Sequence, residues 1–137
     1  MKRTETPIDL VANQLVSDMA SRYPSFATDI GYPGGESEMD DYSPEFLSQE
    51  QQDTKAVIAK LAALQPVDEV DIVTKDAMLQ SLQGDLETYD SGLAFRNLNN
   101  IASPAQGVRD VFDNSPTDTV QDWENLSLRM QKVGRSL

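Results

Sequence analysis

From Ile8 to Tyr23 the apolar residues fall at Ile8, Val11, Leu15 and Met19, with Ala12 and Val16 beside them. This is the three-and-four spacing of one helical face. Pro7 suits the first turn, where a missing N–H costs nothing, and Pro24 ends the segment by disfavouring helical geometry at Tyr23. A second periodic segment opens on Ser43-Pro44-Glu45: a hydroxyl cap, a proline at the first helical position and an acid near the positive end of the helix dipole. Its stripe is Phe46, Thr54, Val57, Ile58, Leu61 and Leu64, and Pro66 stops it after Gln65. Asp68 caps a third helix that runs through Ile72, Leu79, Leu82, Leu86 and Tyr89 to about Gly92, with Val73 and Ala77 broadening the face. Gly84 lies inside it at a cost of about 1 kcal/mol relative to alanine, marking either close helix packing or no role at all.

Between the first two helices the periodicity lapses. Residues Pro24 to Tyr42 hold Gly31, Pro33, Gly34 and Gly35 and the acids Glu36, Glu38, Asp40 and Asp41, and they read as a long acidic loop. Phe26, Ile30 and Tyr32 are its anchors to the core, and Ala27-Thr28-Asp29 offers one extra turn. A loop of this length inside a compact domain is uncommon and is either functional or partly mobile. Further on, Leu93, Phe95 and Leu98 lead into Asn97-Leu98-Asn99-Asn100, a run that favours side-chain-to-backbone bonds over helix. Ser103-Pro104 then starts a short helix carrying Val108, Val111 and Phe112.

Asn114-Ser115-Pro116 is a turn, and Thr117 or Thr119 caps a last helix with Trp123, Leu126, Met130, Val133 and Leu137 at helical spacing. The apolar pattern is still running at Leu137, which leads to the expectation that the chain is the amino-terminal segment of a longer protein. No solenoid repeat and no strand alternation compete. The predicted fold class is all-α: about five helices packed as an irregular bundle over a single domain, residues 1–137.

Composition narrows the function classes. The 137 residues carry 23 acidic and 11 basic side chains, a formal charge of −12, which repels phosphate backbones and anionic lipid. Neither nucleic acid nor membrane is an expected partner. Lys2 and Arg3 form the one local basic cluster, read as solubilising surface. The amino-terminal region is too polar for a signal peptide and no run reaches the ~18 apolar residues of a span, so the cytoplasm is the expected location. There is no cysteine and no histidine. A histidine-containing triad, an HExxH zinc helix or a cysteine and histidine zinc site cannot be built from these residues.

The candidates that survive this test read as structural. Glu36, Glu38, Asp40 and Asp41 are the residue types that hold calcium or magnesium, yet they lack the order of an EF-hand loop and read as a solvated acidic loop. Asp85 with Glu87, and Asp68 with Glu69, are carboxylate pairs whose adjacent or alternate spacing on a helix points them apart. They read as surface charge and capping rather than acid–base chemistry. Gly34-Gly35 lacks the lysine and flanking spacing of a phosphate loop. Trp123, at helical spacing with Leu126 and Met130, reads as core rather than as a partner anchor. No catalytic, cofactor-binding or metal-binding residue is assigned, and the chain alone is not expected to be an enzyme.

A set of short stretches points further: Thr6-Pro7-Ile8-Asp9, Phe26-Ala27-Thr28-Asp29-Ile30-Gly31, Asp41-Tyr42-Ser43-Pro44 and Leu98-Asn99-Asn100-Ile101-Ala102-Ser103-Pro104, then Val111-Phe112-Asp113, Pro116-Thr117 and Asp122-Trp123. In this order they resemble the amino-terminal region of the bacterial family known as domain of unknown function 885, whose full-length members look like HExxH zinc peptidases. The resemblance implies a large helical protein with a cleft, in which a zinc helix elsewhere in the polypeptide supplies two histidines and a glutamate base. It carries no catalytic residue onto this chain. What it implies here is a helical, non-catalytic portion beside the cleft, with the loop around Gly34 at its rim, zinc only in the rest of the parent protein, and that remainder or a second copy as partner. The alternative is a stand-alone helical module for protein interaction or dimerisation.

Overall fold

The computed structural model describes residues 3–96, 98–101 and 103–136. Lys2, Asn97, Ala102 and Leu137, which figure in the basic cluster, the asparagine-rich break, the family-like stretch and the last apolar stripe, lie outside them. The described residues form six α-helices, with one short 3₁₀ turn and no strand: α1 (Pro7–Arg22), α2 (Pro24–Asp29), α3 (Pro44–Ala63), α4 (Glu69–Asp90), the 3₁₀ turn (Leu93–Arg96), α5 (Pro104–Asn114) and α6 (Val120–Ser136). The all-α expectation holds. Four of these helices begin on proline, at Pro7, Pro24, Pro44 and Pro104, because a helix start has no use for the missing N–H and the ring presets φ.

The predicted loop after Pro24 is shorter than expected. Pro24 does end α1, but it also starts α2, so the irregular stretch runs only from Ile30 to Ser43. The same proline that excludes helix from the residue before it is well placed as the first residue of the next one.

Side-chain caps hold the starts of α1, α3, α4 and α6, whereas Tyr23 before α2 and Ser103 before α5 make no side-chain cap bond. Thr6 Oγ1 accepts from Asp9 N at 3.2 Å while Asp9 Oδ2 accepts from Thr6 N at 2.9 Å. Thr119 and Asp122 repeat this reciprocal arrangement at the start of α6, at 3.2 and 2.8 Å. In each case two orphan helix donors are satisfied at once. Ser43 caps α3 through Phe46 N at 3.2 Å, and Asp68 caps α4 through Asp71 N at 2.8 Å.

The chain divides into two compact units, Met1–Val16 with Leu47–Arg96, and Ser17–Phe46 with Asn97–Leu137. In the first, Val11, Leu61 and Leu82 form a buried core, with Leu15, Val57, Ile58, Leu64, Met78 and Leu79 packed around it. Val11, Leu15, Val57, Ile58, Leu61 and Leu64 belong to the stripes predicted for α1 and α3, and Leu79 and Leu82 to that of α4, whereas Met78 belongs to none. The start of α4 departs from prediction: Ile72 and Val73 are half to two-thirds exposed, and Asp71 is fully buried instead. Asp71 is four, seven and eleven residues before Lys75, Met78 and Leu82, so it shares their helical face. Its carboxylate accepts from Thr6 Oγ1 at 2.8 Å, Val67 N at 3.0 Å and Arg3 Nη2 at 2.5 Å. Arg3 is therefore no solubilising charge, for it also donates to Asp9 at 2.6 Å and Asp68 at 2.7 Å. The guanidinium holds both of those carboxyls below the ordinary carboxylate range.

In the second unit α2 lies against α5, and Val108, Val111 and Leu126 are buried. Trp123 and Met130 are not core. They are 60% and 66% exposed, while Arg129 is 1% exposed. The inward face of α6 carries buried Leu126, Arg129 and Ser136 with half-buried Val133, keeping Leu126 and Val133 of the predicted stripe but turning Arg129 inward in place of Met130.

Gly84 supports no close approach, since a Cβ built there meets nothing within 4 Å. Gly84→Ala is expected to stabilise the protein by roughly 0.5–1 kcal/mol through better helix propensity and a less flexible unfolded chain. A higher urea midpoint would show this, and a lower one would mean that the position has a packing role after all.

Candidate functional site

The residues that gather into a shaped site belong to the second unit: α2, the loop after it, the turn before α6, and α6 itself. Arg129 lies at the centre. Its Nε donates to Glu38 O at 3.1 Å, Nη1 to Ser115 Oγ at 2.6 Å, and Nη2 to Thr28 Oγ1 at 2.8 Å and Gly35 O at 3.2 Å. One planar group with five donors in a fixed fork thus ties the loop to α2 and to the turn before α6. Burial pushes the guanidinium down from its ordinary value, and the charges of Asp40, Glu36 and Glu38 oppose that shift.

The loop's backbone makes this possible. Gly34 and Gly35 have φ of 100° and 82°, where a side chain costs roughly 1–2 kcal/mol. The reversal lets Glu36 Oε1 accept from Gly34 N at 2.8 Å while the Gly35 carbonyl faces Arg129. That Gly34 N–H is the main reason the Glu36 carboxyl sits below its usual range.

The four acids of this loop are dispersed to four tasks rather than collected. Glu36 closes the glycine turn. Glu38 pairs with Lys132 Nζ at 2.5 Å, and the same ammonium donates to Ser37 O at 3.0 Å. Asp41 accepts from Ser43 N at 2.8 Å. Asp40 is buried, so the solvated-loop reading fails for it. It accepts from Ser25 N at 2.9 Å and from the Ser25 hydroxyl, and from Tyr42 Oη at 3.3 Å. The backbone around it is joined to the end of α6, with the Ser136 hydroxyl donating to Asp40 O and Tyr42 N donating to Ser136 O at 3.1 Å. Among the described residues no group of three or more acids is placed to hold a metal ion.

Inside this frame is a cavity of about 320 Å³, bordered by Ala27, Tyr32, Pro33, Glu36, Asp122, Asn125, Leu126 and Arg129. Its size is at the small end for an organic ligand site. A second, nearly all-apolar groove of about 300 Å³ lies along Phe112, Trp123, Leu126 and Met130. Trp123 is fixed at its edge by Nε1 donating to Thr117 O at 3.1 Å.

The elements that build both features lie within residues 24–137, and over this span the chain matches the model of a family described as "Bacterial protein of unknown function (DUF885)". The chain belongs to the DUF885 family. Of the stretches that carried the resemblance, Thr6-Pro7-Ile8-Asp9 falls outside the matched span, and the others fall inside it. No curated protein matches the chain. The stretches inside the DUF885 span include parts of the site: Ala27 and Thr28 in α2, Tyr42 beside Asp40, and Asp122 at the start of α6. Arg129, the group on which these contacts converge, is in none of them. The available signal was its position, three residues after Leu126 and four before Val133, on the buried side of α6.

Tyr42 gives this region a measurable signature. Burial first, then the charge of Asp40 and the bond to it, raise the phenol from its ordinary 10.0 to about 12. A raised folded-state value means the unfolded chain releases this proton first, so the stabilisation is complete below pH 10 and fades as pH rises towards 12. In an ultraviolet titration a tyrosine step is expected near pH 12, and Tyr42→Phe should remove it. Loss of the step at an ordinary phenol value instead would contradict the buried Asp40–Tyr42 pair.

Proposed function

We propose that this DUF885 chain is a helical, non-catalytic amino-terminal portion of a metallopeptidase-like protein, shaping or supporting a zinc site whose ligands come from other residues of the polypeptide. The observation that carries this reading is chemical. A chain without histidine or cysteine has no side chain for the nitrogen and sulfur ligation that most protein zinc sites use. What its family-matched part does have is a loop locked in one shape by Arg129 and the two-glycine turn. That is the kind of rigid edge a cleft needs for positioning rather than for bond breaking. In this reading a zinc ion, held by residues outside this chain, would supply the activated water for hydrolysis of an amide or ester. This chain's residues hold the rim and limit access.

One observation favours a second reading, a helical module for protein interaction or dimerisation. Trp123 and Met130 are largely exposed and line the apolar groove, and an aromatic anchor next to an apolar pocket is typical of a contact surface. Both readings place a protein surface on this face, the rest of the polypeptide in one and a separate copy or partner in the other.

The two separate in one experiment. An antibody raised against the chain is expected to detect a native polypeptide much longer than 137 residues, with zinc-dependent hydrolysis of peptides that the purified chain lacks. Zinc-dependent peptidase activity in the purified chain would overturn the proposal. A native species of this length, self-associating through the Trp123 face, would establish the second reading instead.

A further inference from the structure

The cavity beneath the loop has a composition that selects for one kind of ligand. Ala27, Pro33 and Leu126 give it apolar walls, the Tyr32 ring adds an aromatic surface, and Glu36 and Asp122 bring two carboxylates. Each carboxylate has a named backbone donor on one oxygen, Gly34 N on Glu36 Oε1 and Thr119 N on Asp122 Oδ2. These bonds fix the groups while leaving acceptor capacity, since an ionised carboxylate offers about four lone-pair sites. Arg129 is the one cation on the wall, and four hydrogen bonds direct it to Glu38, Ser115, Thr28 and Gly35. An anion entering here would meet two carboxylates and a guanidinium already engaged elsewhere. A cation would meet two acceptors and an aromatic face, drawn by a protein of net charge −12.

We propose that this cavity binds a primary alkylammonium chain, as on the lysine side chain of a peptide or in a free alkylamine. The methylenes lie against Ala27, Pro33 and Leu126, and the ammonium is held by Glu36, Asp122 and the Tyr32 ring. A volume of about 320 Å³ readily admits a four-carbon chain with its ammonium. The cavity carries this inference by itself, whether or not the chain supports a zinc site.

The test is a titration of the full chain, followed residue by residue in amide NMR spectra, with three probes: Nα-acetyl-lysine methylamide, n-butylammonium, and the neutral Nα-acetyl-norleucine methylamide. The lysine probe is expected to saturate, with shifts confined to residues 27–36 and 115–129. The norleucine probe should bind at least about tenfold more weakly, the equivalent of hydrogen bonds to charged groups. Equal binding of lysine and butylammonium identifies a free alkylamine as the ligand, and tighter binding of the lysine probe identifies a peptide. Glu36→Gln and Asp122→Asn keep an acceptor for Gly34 and Thr119 but remove the charge, so each should erase most of the preference for lysine over norleucine. Should either variant fail to fold, the salt dependence of the unmodified chain decides, since only the cationic probes should weaken as salt rises. Equal binding of the neutral probe, or unsaturable shifts spread over the acidic surface, would overturn the proposal.

Discussion

A buried guanidinium has to find acceptors for its donors, and in the second unit that requirement organises nearly everything else. Arg129 is 1% exposed, and the groups that answer it are two loop carbonyls and two hydroxyls. No carboxylate forms a direct pair with it among these bonds. The acids act through their field, and their side chains are free to fix the loop: Glu36 at the glycine turn, Glu38 at Lys132, Asp40 at Ser25 and Tyr42. Removing one member of such an arrangement strands several buried polar groups, which costs more than the arrangement contributes when intact. The cavity under the loop exists because the loop is held in this one shape.

The first unit has a buried charge of the opposite sign. Asp71 is fully buried and is answered by Arg3, Thr6 and the backbone of Val67, so the segment leading into α1 is tied to the start of α4. At the other end of the α3–α4 connection, Lys75 Nζ donates to the α3-terminal carbonyl of Ala62 at 3.3 Å and to Leu64 O at 2.7 Å. Cations near a helix C-terminus satisfy carbonyls that have no partner within the helix. An acidic chain in which 39% of residues are hydrophobic, below the ~45–50% of a typical domain, thus closes its units partly through charged side chains.

This explains which features were legible in the sequence. Proline positions, hydroxyl and acid caps, and the spacing of Val57, Ile58, Leu61 and Leu64 act locally, and they located α1, α3, α4, α5 and α6. Periodicity failed where a charged residue occupied the inward position. Asp71 displaced Ile72 and Val73, and Arg129 displaced Met130 and Trp123, because a hydropathy pattern counts any charge as solvent-facing. The partners that make burial tolerable are 68 residues away for Arg3 and Asp71 and 94 for Gly35 and Arg129, and pairings at such distances leave no local trace. The acidic loop was visible as composition, but its division into a glycine-turn clasp, an ion pair and a buried acceptor depended on those same distant partners.

Arg129 holds the loop, and hydrogen exchange at the loop amides reports how firmly. Arg129→Lys keeps the charge but replaces the five-donor fork with a single ammonium that cannot reach all four acceptors. It should speed exchange at the amides of residues 34–42 at least about tenfold, equivalent to losing one or two charged hydrogen bonds. The same change at Arg109, whose side chain is 83% exposed, should leave them unaltered. Unchanged protection of the loop in Arg129→Lys would mean that the loop owes its shape to something other than the buried guanidinium.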